Sequence, residues 1–167
     1  MIISSIVAVA ENNAIGKDNQ LIWRLPEDMK YFREITENHC VVTGRKNYES
    51  IPVKFRPLVN RTNIVVTRQQ NYNAPGAFVV NSIDAAVEKA KELGEKELFI
   101  IGGAEIYKQT LSMINKLHLT RVHAAFEADA FFPTLDANQW IEISAQFHPI
   151  DEKHKFAFTF QVFKPTK

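Results

Sequence analysis

Several β-rich segments of this chain are apolar almost throughout, and this feature limits the folds open to it. Residues 77–80 read AFVV, and residues 97–103 read ELFIIGG. Strands of this composition need cover on both faces. Segments of helical periodicity lie between them, and strands that alternate with helices form a mostly parallel sheet between helical layers. The pattern therefore predicts an α/β fold.

The same segments predict the order of elements. The β-rich segments are residues 2–10, 40–44, 63–67, 77–80, 97–103, 116–122, 140–147 and 156–163. The helical segments are residues 26–37, 46–51, 82–94 and 104–114. Only the polar sequence HPIDEKHK separates the last two β-rich segments, which predicts an antiparallel pair at the sheet's edge. A chain of 167 residues suits one domain with a sizeable core.

The charge balance and the cysteine count exclude several classes of protein. The net charge is +1, so neither nucleic acid nor a membrane surface is expected as the main partner. The N-terminal sequence MIISSIVAVAENNAIG lacks a basic start and predicts a first strand, not a signal peptide. The single cysteine, Cys40, cannot form an internal disulfide and lies in an apolar run typical of the core. We expect a monomeric, cytoplasmic protein.

One acidic residue falls where an apolar one is expected. In the sequence IWRLPEDMKYF, Pro26 suits the first position of a helix. The inner stripe of that helix is predicted to consist of Leu25, Met29, Phe32, Ile35 and Thr36. Asp28 lies within this stripe, whereas Glu27 points away. Either Asp28 only complements the positive N-terminal end of the helix, or it has a function inside the protein.

Three strand ends carry features that suit phosphate. The motifs are Gly44-Arg45-Lys46, Thr67-Arg68-Gln69 and Gly102-Gly103-Ala104. Backbone N–H groups at a helix start and the planar fork of arginine both bind phosphate, so the three motifs predict a cofactor with several phosphates. The dinucleotide fingerprint GxGxxG is absent. Arg68 at a ribose-recognition position would favour a 2′-phosphate, hence NADP over NAD.

Other kinds of site find no support in the sequence. His118 and His123 lie on one strand at an odd spacing, so they face opposite sides and cannot chelate one metal. His39, His148 and His154 match no metal-ligand spacing, so no metal site is expected. Neither a Ser-His-Asp nor a GxSxG arrangement is present. The acids of FEADAFFP, residues 126–133, are expected in a solvated loop.

Taken together, the motifs resemble those of the dihydrofolate reductase family. The family's order is matched over nearly the whole chain by NNAIG, WRLPEDMKYF, TGRKNYESI, RTNIVVT, FIIGGAEIY, LTRV and ADAFFP. The resemblance implies a three-layer α/β fold with a mainly parallel eight-stranded sheet, an antiparallel C-terminal strand and about four flanking helices. It implies one domain over residues 1–167, in which residues 39–95 bind the adenosine end of the cofactor and the remainder forms a loop subdomain.

The resemblance also implies a reaction and its ligands. The reaction is the NADPH-dependent reduction of 7,8-dihydrofolate to tetrahydrofolate, and the inhibitors are diaminopyrimidine and methotrexate-like antifolates. The expected catalytic residues are Asp28, Trp23, Tyr107 and Thr120. Asp28 is expected to hydrogen-bond the 2-amino group and N3 of the pterin beside Thr120, while Trp23 holds an ordered water and Tyr107 closes the site.

The binding residues are carried over in the same way. The expected substrate-binding residues are Ile6, Ala8, Asp28, Met29, Phe32, Ile51, Leu58, Arg61, Ile101 and Thr120. The expected cofactor-binding residues are Ala8, Ile15, Gly16, Leu21, Gly44, Arg45, Lys46, Asn47, Thr67, Arg68, Gln69, Ile101, Gly102, Gly103, Ala104, Glu105, Ile106 and Tyr107. The family's Gly-Gly bond is cis, and residues 12–25 are expected to form a lid that excludes water.

The chain departs from the family's pattern at a few positions. Leu21 and Ile22 stand where methionine and proline are frequent, and Asn47 replaces a usual threonine or serine. The sequence PVKFRPLVN carries extra residues before Arg61. Two alternatives stay open: a related reductase such as the pyrimidine reductase of riboflavin synthesis, and a non-catalytic nucleotide-binding module. The first gives no reason for Asp28 together with Arg61, and the second gives none for a buried carboxylate.

Overall fold

The computed structural model describes residues 1–167. The strands are β1 Ile2–Ala10, β2 Ala14–Gly16, β3 Cys40–Gly44, β4 Thr62–Val66, β5 Phe78–Val80, β6 Glu97–Ile100, β7 Lys116–Val122, β8 Ala130–Phe131, β9 Trp140–His148 and β10 Phe158–Pro165. The α-helices are α1 Pro26–Thr36, α2 Arg45–Ser50, α3 Ile83–Glu92 and α4 Ala104–Thr110. One turn of 3₁₀-helix covers Val53–Phe55. None of the helices combines the length and the apolar character needed to cross a membrane.

Eight strands form one sheet in the order β5-β4-β3-β6-β1-β7-β10-β9. Near its centre, β1 pairs in parallel with both β6 and β7. The antiparallel pairs are those of β10, with β7 on one side and β9 on the other. The predicted α/β architecture, a mainly parallel sheet with an antiparallel C-terminal edge and four helices, is therefore confirmed.

Apolar side chains cover both faces of the sheet, which explains the strands that lack alternation. Successive residues of one strand belong to different hydrophobic clusters: Val42 and Ile100 to the larger, Val41 and Phe99 to the smaller. All four are at most 2% exposed. The larger cluster includes residues of α3 and α4, and the smaller one packs against α1. The helical layers thus supply the cover that the sequence requires.

The lone cysteine belongs to this interior. Cys40 is buried and unpaired, and it lies in the larger hydrophobic cluster. Burial is the main cause that raises the pKa of its thiol to about 12, and the neighbouring Glu95 adds to the effect. A thiol of this kind stays protonated, which agrees with a packing role.

The parallel strands end side by side, and this gathers the loops that follow them. Gly44 at the end of β3 pairs with Val66 of β4, and Val66 pairs with Val80 of β5. On the other side of β3, Val42 pairs with Ile100 at the end of β6. Ligands of open α/β sheets bind at this carboxyl edge. The phosphate-compatible motifs of the sequence therefore converge in space.

Two short strands depart from the sequence prediction. β2 and β8 pair into a separate two-stranded sheet, in segments expected to be a lid and a loop. Beyond β2, Lys17 and Gln20 bridge across a tight turn. Asp18 and Asn19 at its tip have φ values of 52° and 60°. Because Asp and Asn tolerate the left-handed region, they suit a two-residue turn of this type.

Several boundaries also differ from those predicted. α4 ends at Thr110 and not at residue 114, and Thr110 Oγ1 competes for the Ile106 carbonyl through a 2.7 Å hydrogen bond. β6 ends at Ile100, since Gly102 has a φ of +113° and cannot continue a strand. β10 begins at Phe158, two residues later than expected.

We expect Leu98→Ala to lower the free energy of unfolding by about 2–5 kcal/mol. Leu98 on β6 is 0% exposed and belongs to the larger cluster, so truncation leaves a cavity in the middle of the sheet. Leu93→Ala is the matched control, because Leu93 is 47% exposed at the end of α3 and its loss should cost about 0.5 kcal/mol or less. Urea unfolding of both variants measures the difference, and equal losses would contradict this description of the core.

Candidate active site

A cleft of about 1230 Å³ opens at the carboxyl edge of the parallel strands. The ends of β3, β4 and β6 line it, together with the first residues of α2 and α4. These are the three junctions that the sequence singles out. All of the predicted cofactor-binding residues except Gly102 line this cleft.

Gly102 lies just behind the lining. Its carbonyl accepts hydrogen bonds from the Gly44 N–H at 2.8 Å and from Thr43 Oγ1 at 3.1 Å. The bond between Gly102 and Gly103 is cis, as the family resemblance implies. A Cβ on Gly102 would lie 3.0 Å from the ring of Tyr107, and its φ of +113° is one that residues with side chains rarely adopt. Space and backbone conformation therefore both require glycine.

A fourth strand end also contributes to the cleft. Asn81, Ser82, Ile83 and Asp84 follow β5 and line the same cavity. Ser82 Oγ accepts the N–H of Ala85 at 3.0 Å and caps α3. The available signal was a serine at the start of the predicted helix over residues 82–94, because such a residue caps a helix whose start lies close to a strand end. The other lining residues that the sequence did not predict are Val7, Asn19, Gln20, Ser50, Val66, Gln109, Asp129 and Ala130.

The cations of the cleft differ in how freely they can bind a ligand. Arg45 Nη1 lies 2.7 Å from Glu49 Oε1, so part of its charge is already neutralised. Arg68 and Lys46 are exposed and form no ion pair within the protein. Arg68 is therefore the guanidinium most available to a phosphate group.

Asn47 has a structural role at the same edge. Its Nδ2 donates to Thr43 Oγ1 at 2.9 Å and to the Ile101 carbonyl at 3.3 Å. These contacts join α2 to the ends of two neighbouring strands. The departure from the family's usual hydroxyl residue therefore places an amide that braces the floor of the cleft.

Asp28 lies at the start of α1 and faces the sheet. Its Oδ1 accepts a hydrogen bond of 2.7 Å from Thr120 Oγ1 on β7. Burial raises the pKa of the Asp28 carboxyl above its usual range, and the Thr120 hydrogen bond offsets part of that effect. Burial also raises the pKa of the nearby Tyr31 and Tyr107, and the Asp28 charge adds to it. The Asp28 carboxyl is thus directed into the protein, and a function for it stays a prediction.

Met29 corrects the helical stripe that the sequence predicts. Leu25 and Thr36 are 2% and 0% exposed, and Phe32 and Ile35 are partly buried. Met29, in contrast, is 55% exposed, so its placement on the buried face is wrong. Met29 lies on the same helical face as Thr36, seven residues further on, but the protein does not cover that face near the start of α1.

Two of the predicted catalytic residues are aromatic. Tyr107 on α4 is buried, and its hydroxyl donates to the Ile6 carbonyl at 2.7 Å. Trp23 is 8% exposed and its ring lies 5.3 Å from that of Phe126. The only buried side-chain N or O atom without a hydrogen-bond partner is Gln161 Oε1, so the unpaired indole N–H of Trp23 reaches solvent.

Most of the apolar residues expected to contact a substrate form one group. Ile6, Phe32, Leu58 and Ile101 belong to the hydrophobic cluster between the sheet and α1. Ile51 differs, because it packs against another cluster with Tyr48 at its centre.

Arg61 is held near the C-terminal end of α1. Its Nη1 donates to Thr36 Oγ1 at 3.2 Å and its Nε to the Val59 carbonyl at 2.9 Å. Burial lowers the pKa of its guanidinium, which nevertheless stays charged. The remaining N–H groups are free to bind a carboxylate. Asp28 and Thr36 stand about 12 Å apart along the helix axis, so α1 sets the separation between an acid and a cation.

Residues 12–25, the expected lid, are tied to both sides of the cleft. Asn19 Nδ2 donates to the Lys46 carbonyl, and the Asp18 N–H donates to Asp129 Oδ2, each at 2.9 Å. Lys17 Nζ lies 3.2 Å from Glu127 Oε2. Asp129 is exposed in a loop, as predicted, but its hydrogen bond also joins that loop to residues 12–25. Its partner is 111 residues away, and no local pattern could indicate it.

The loop between β9 and β10 contains a cluster that sequence spacing does not predict. Donor atoms of His148, Asp151 and His154 lie within 4.8 Å of one another. The loop reverses at Asp151 and His154, which exchange backbone hydrogen bonds, so distance along the chain misrepresents distance in space. His118, in contrast, is buried in β7, whereas His123 is exposed.

Comparison with known proteins agrees with this geometry. The dihydrofolate reductase family model matches residues 2–165. A dihydrofolate reductase of Bacillus subtilis is 39% identical over 97% of this chain and 94% of its own length. That of Staphylococcus haemolyticus is 37% identical over 97% of this chain and 95% of its own length.

A solved structure shows the same similarity. Dihydrofolate reductase from Enterococcus faecalis, complexed with NADP(H) and RAB-propyl, superimposes with a TM-score of 0.91 at 32% identity. The match covers 99% of this chain and 97% of that one. Fold, cleft and sequence lead to one conclusion: the chain belongs to the dihydrofolate reductase family.

Proposed function

We propose that the chain reduces 7,8-dihydrofolate to 5,6,7,8-tetrahydrofolate with NADPH, by hydride transfer to C6 and protonation at N5 of the pterin. Such a reaction supplies reduced folate for one-carbon metabolism. The observation that carries the proposal is the Asp28 carboxylate, held by Thr120 at one end of α1, with the Arg61 guanidinium at the other end. Family membership supports the reaction class.

The residues of the cleft fit NADPH. Two helices begin there, and their first N–H groups suit phosphate oxygens. Arg68 would take the 2′-phosphate, and Arg45 and Lys46 would face the other phosphates. A Cβ on Gly44 would lie 3.0 Å from Ile106, so glycine keeps this wall open to a ligand. The related Enterococcus faecalis enzyme was solved with NADP(H), which supports the same cofactor here.

Within that cleft, residues 39–95 are proposed to bind the adenosine end, and Ile15 and Ile101 to flank the nicotinamide. When bound, NADPH supplies the hydride from C4 of its nicotinamide. Residues 12–25 would cover the reacting atoms and exclude water, because their contacts with Lys46 and Asp129 hold them across the cleft.

The proposed role of Asp28 rests on its surroundings. Thr120 is the only hydrogen-bond donor that the protein supplies to the carboxylate. The other oxygen can therefore accept from the amino group and N3 of a pterin, or from the matching edge of a diaminopyrimidine or methotrexate-like antifolate. These contacts lie on the edge of the ring remote from N5. The proton is accordingly proposed to reach N5 through a water held by the Trp23 indole N–H, while Tyr107 closes the site.

Arg61 would bind the α-carboxylate of the glutamate tail. Its Nη1 holds it against Thr36 of α1 and its Nε holds it against the Val59 carbonyl. The hydrophobic cluster that includes Ile6, Phe32 and Leu58 packs against the same helix. This arrangement suits a substrate with a polar ring, an apolar middle and an acidic tail. We further propose that the enzyme acts as a monomer.

The direct test is NADPH oxidation by the purified protein in the presence of dihydrofolate, with and without a diaminopyrimidine antifolate. Rapid oxidation that the antifolate blocks supports the proposal. Binding of NADPH without oxidation would refute the assignment of dihydrofolate as substrate.

Asp28→Asn is expected to lower turnover by roughly 10²–10⁴-fold, the usual scale for lost general acid–base help. Asparagine keeps an oxygen that can accept from Thr120, so the change removes ionisation with little change in shape. Steady-state turnover at neutral pH measures the effect. Near-normal turnover would rule out the proposed role of Asp28.

The same variant is expected to unfold at a higher temperature at neutral pH. Burial raises the pKa of Asp28 above 3.8, so the charged carboxyl is less favourable in the folded state than in the unfolded one. This penalty is present above the raised pKa and disappears below 3.8, where both states carry the proton. Thermal unfolding across this pH range should show the stabilisation fading as pH falls. A gain that is constant with pH would mean that ionisation is not its cause.

Arg68→Gln is expected to raise the KM for NADPH by roughly 10- to 100-fold while leaving the KM for NADH nearly unchanged, since only the former carries a 2′-phosphate. Lys91→Gln is the charge-matched control, because Lys91 is exposed on α3 and lies outside the cleft. Equal changes for both cofactors would show that Arg68 does not distinguish them.

A further inference from the structure

Helix α1 begins without a cap from a neighbouring side chain. Leu25 at the N-cap position provides no side-chain hydrogen bond, and Pro26 at the first helical position has no N–H. The N–H of Glu27 would therefore lack a partner within the helix. It donates instead to Nε2 of His154 at 3.1 Å, and His154 lies 127 positions further along the chain.

This contact determines the tautomer of the imidazole. Because Nε2 accepts a hydrogen bond, the ring hydrogen is on Nδ1. His154 Nδ1 accordingly donates to Asp151 Oδ1 at 2.8 Å. The ring is 1% exposed, whereas the Asp151 carboxylate reaches solvent and also accepts the N–H of Lys153 at 2.9 Å. The His154 hydrogen bond is the main cause that lowers the pKa of Asp151.

The same arrangement argues against a metal ion at the cluster of His148, Asp151 and His154. A neutral imidazole has one free lone pair, and that of His154 already accepts from Glu27. Binding a metal through Nδ1 would require this contact to break. His148 in turn donates from Nδ1 to the Pro149 carbonyl at 2.8 Å, and its ring stacks on Phe158 at a centroid distance of 4.6 Å. The cluster is therefore a hydrogen-bonded unit of the loop.

The unit lies beside the residues proposed to act on the pterin. Glu27 immediately precedes Asp28, whose carboxylate meets Thr120 at 2.7 Å. The ring centroids of Phe158 and His154 lie 5.3 Å apart, and Phe158 belongs to the same hydrophobic cluster as Trp23. The loop between β9 and β10 thus reaches the first turn of α1 through one buried ring.

We propose that His154, oriented by Asp151, is a positioning residue that caps α1 from outside the helix and keeps Asp28 aligned with Thr120. The inference rests on the proposed function of Asp28. Without the cap, the first turn of α1 loses the partner of its Glu27 N–H, and the short hydrogen bond to Thr120 is no longer enforced. Because Thr120 favours the charged form of Asp28, misalignment moves the apparent pKa of Asp28 upward.

The test compares His154→Leu with His154→Gln. Leucine fills much of the space but cannot accept a hydrogen bond, whereas glutamine places Oε1 near the position of Nε2. We expect His154→Leu to lower turnover roughly 10- to 100-fold and to move the pKa in the pH profile of turnover upward, as Thr120→Val should also do. His154→Gln should recover most of both properties. His123→Leu, which removes an exposed histidine remote from α1, should leave both unchanged.

Three results would overturn the inference. One is an equal loss in the leucine and glutamine variants, and a second is an unmoved pKa in both. The third does not depend on an activity measurement: it is a nitrogen NMR spectrum of the wild-type histidines that places the hydrogen on Nε2 of His154.

If His154→Leu does not fold, Asp151→Ala replaces it in the test. This variant keeps the imidazole ring but no longer fixes its tautomer, so the same upward shift of the pKa is expected. Wild-type protein that does not oxidise NADPH with dihydrofolate would refute the proposed function, which the NMR result does not depend on.

Discussion

The hydrogen bond from Thr120 to Asp28 joins the first turn of α1 to the sheet, and the candidate site depends on it. Thr120 has a defined position because β7 pairs with both β1 and β10 at this point, opposite Ala8 and Phe160. A carboxylate held in this way gains one hydrogen bond but loses most of its water. Its raised pKa shows that the second effect is larger. The site is thus maintained at some expense in stability, as is common for catalytic groups.

The cofactor side of the cleft has a different origin. Parallel strands must end at one edge, so the glycines, the Arg68 guanidinium and the helix starts that follow β3, β4, β5 and β6 converge without any long-range contact designed for that purpose. The phosphate-binding character follows from topology and from which residues occupy the turns. One contact departs from the family's usual pattern, because the Asn47 amide donates hydrogen bonds to the ends of two neighbouring strands.

This difference explains what the sequence could predict. The doubly covered strands and the three junction motifs are local features, and reasoning from local patterns predicted them. The family resemblance supplied the other cleft residues that were predicted, and residues such as Asn81 and Asp84 were not predicted. Met29 was expected to be buried because periodicity gives the face of a helix on which a residue lies, but not how far the protein covers that face. The contacts from Asp129 to Asp18 and from His154 to Glu27 were missed because each joins residues more than one hundred positions apart. No periodicity or spacing rule reports such contacts.

The two halves of the site should consequently respond differently to damage. The cofactor cleft is built from adjacent strand–helix units, and hydrogen bonds such as that from the Gly44 N–H to the Gly102 carbonyl join neighbouring units. The carboxylate side depends on a hydrogen bond that spans 92 residues and a cap that spans 127, both ending on the first turn of α1. A single short helix therefore combines constraints from β7 and from the loop after β9. The position of Asp28 therefore depends on two segments that are distant in sequence, whereas the phosphate-compatible motifs lie together because neighbouring parallel strands end there.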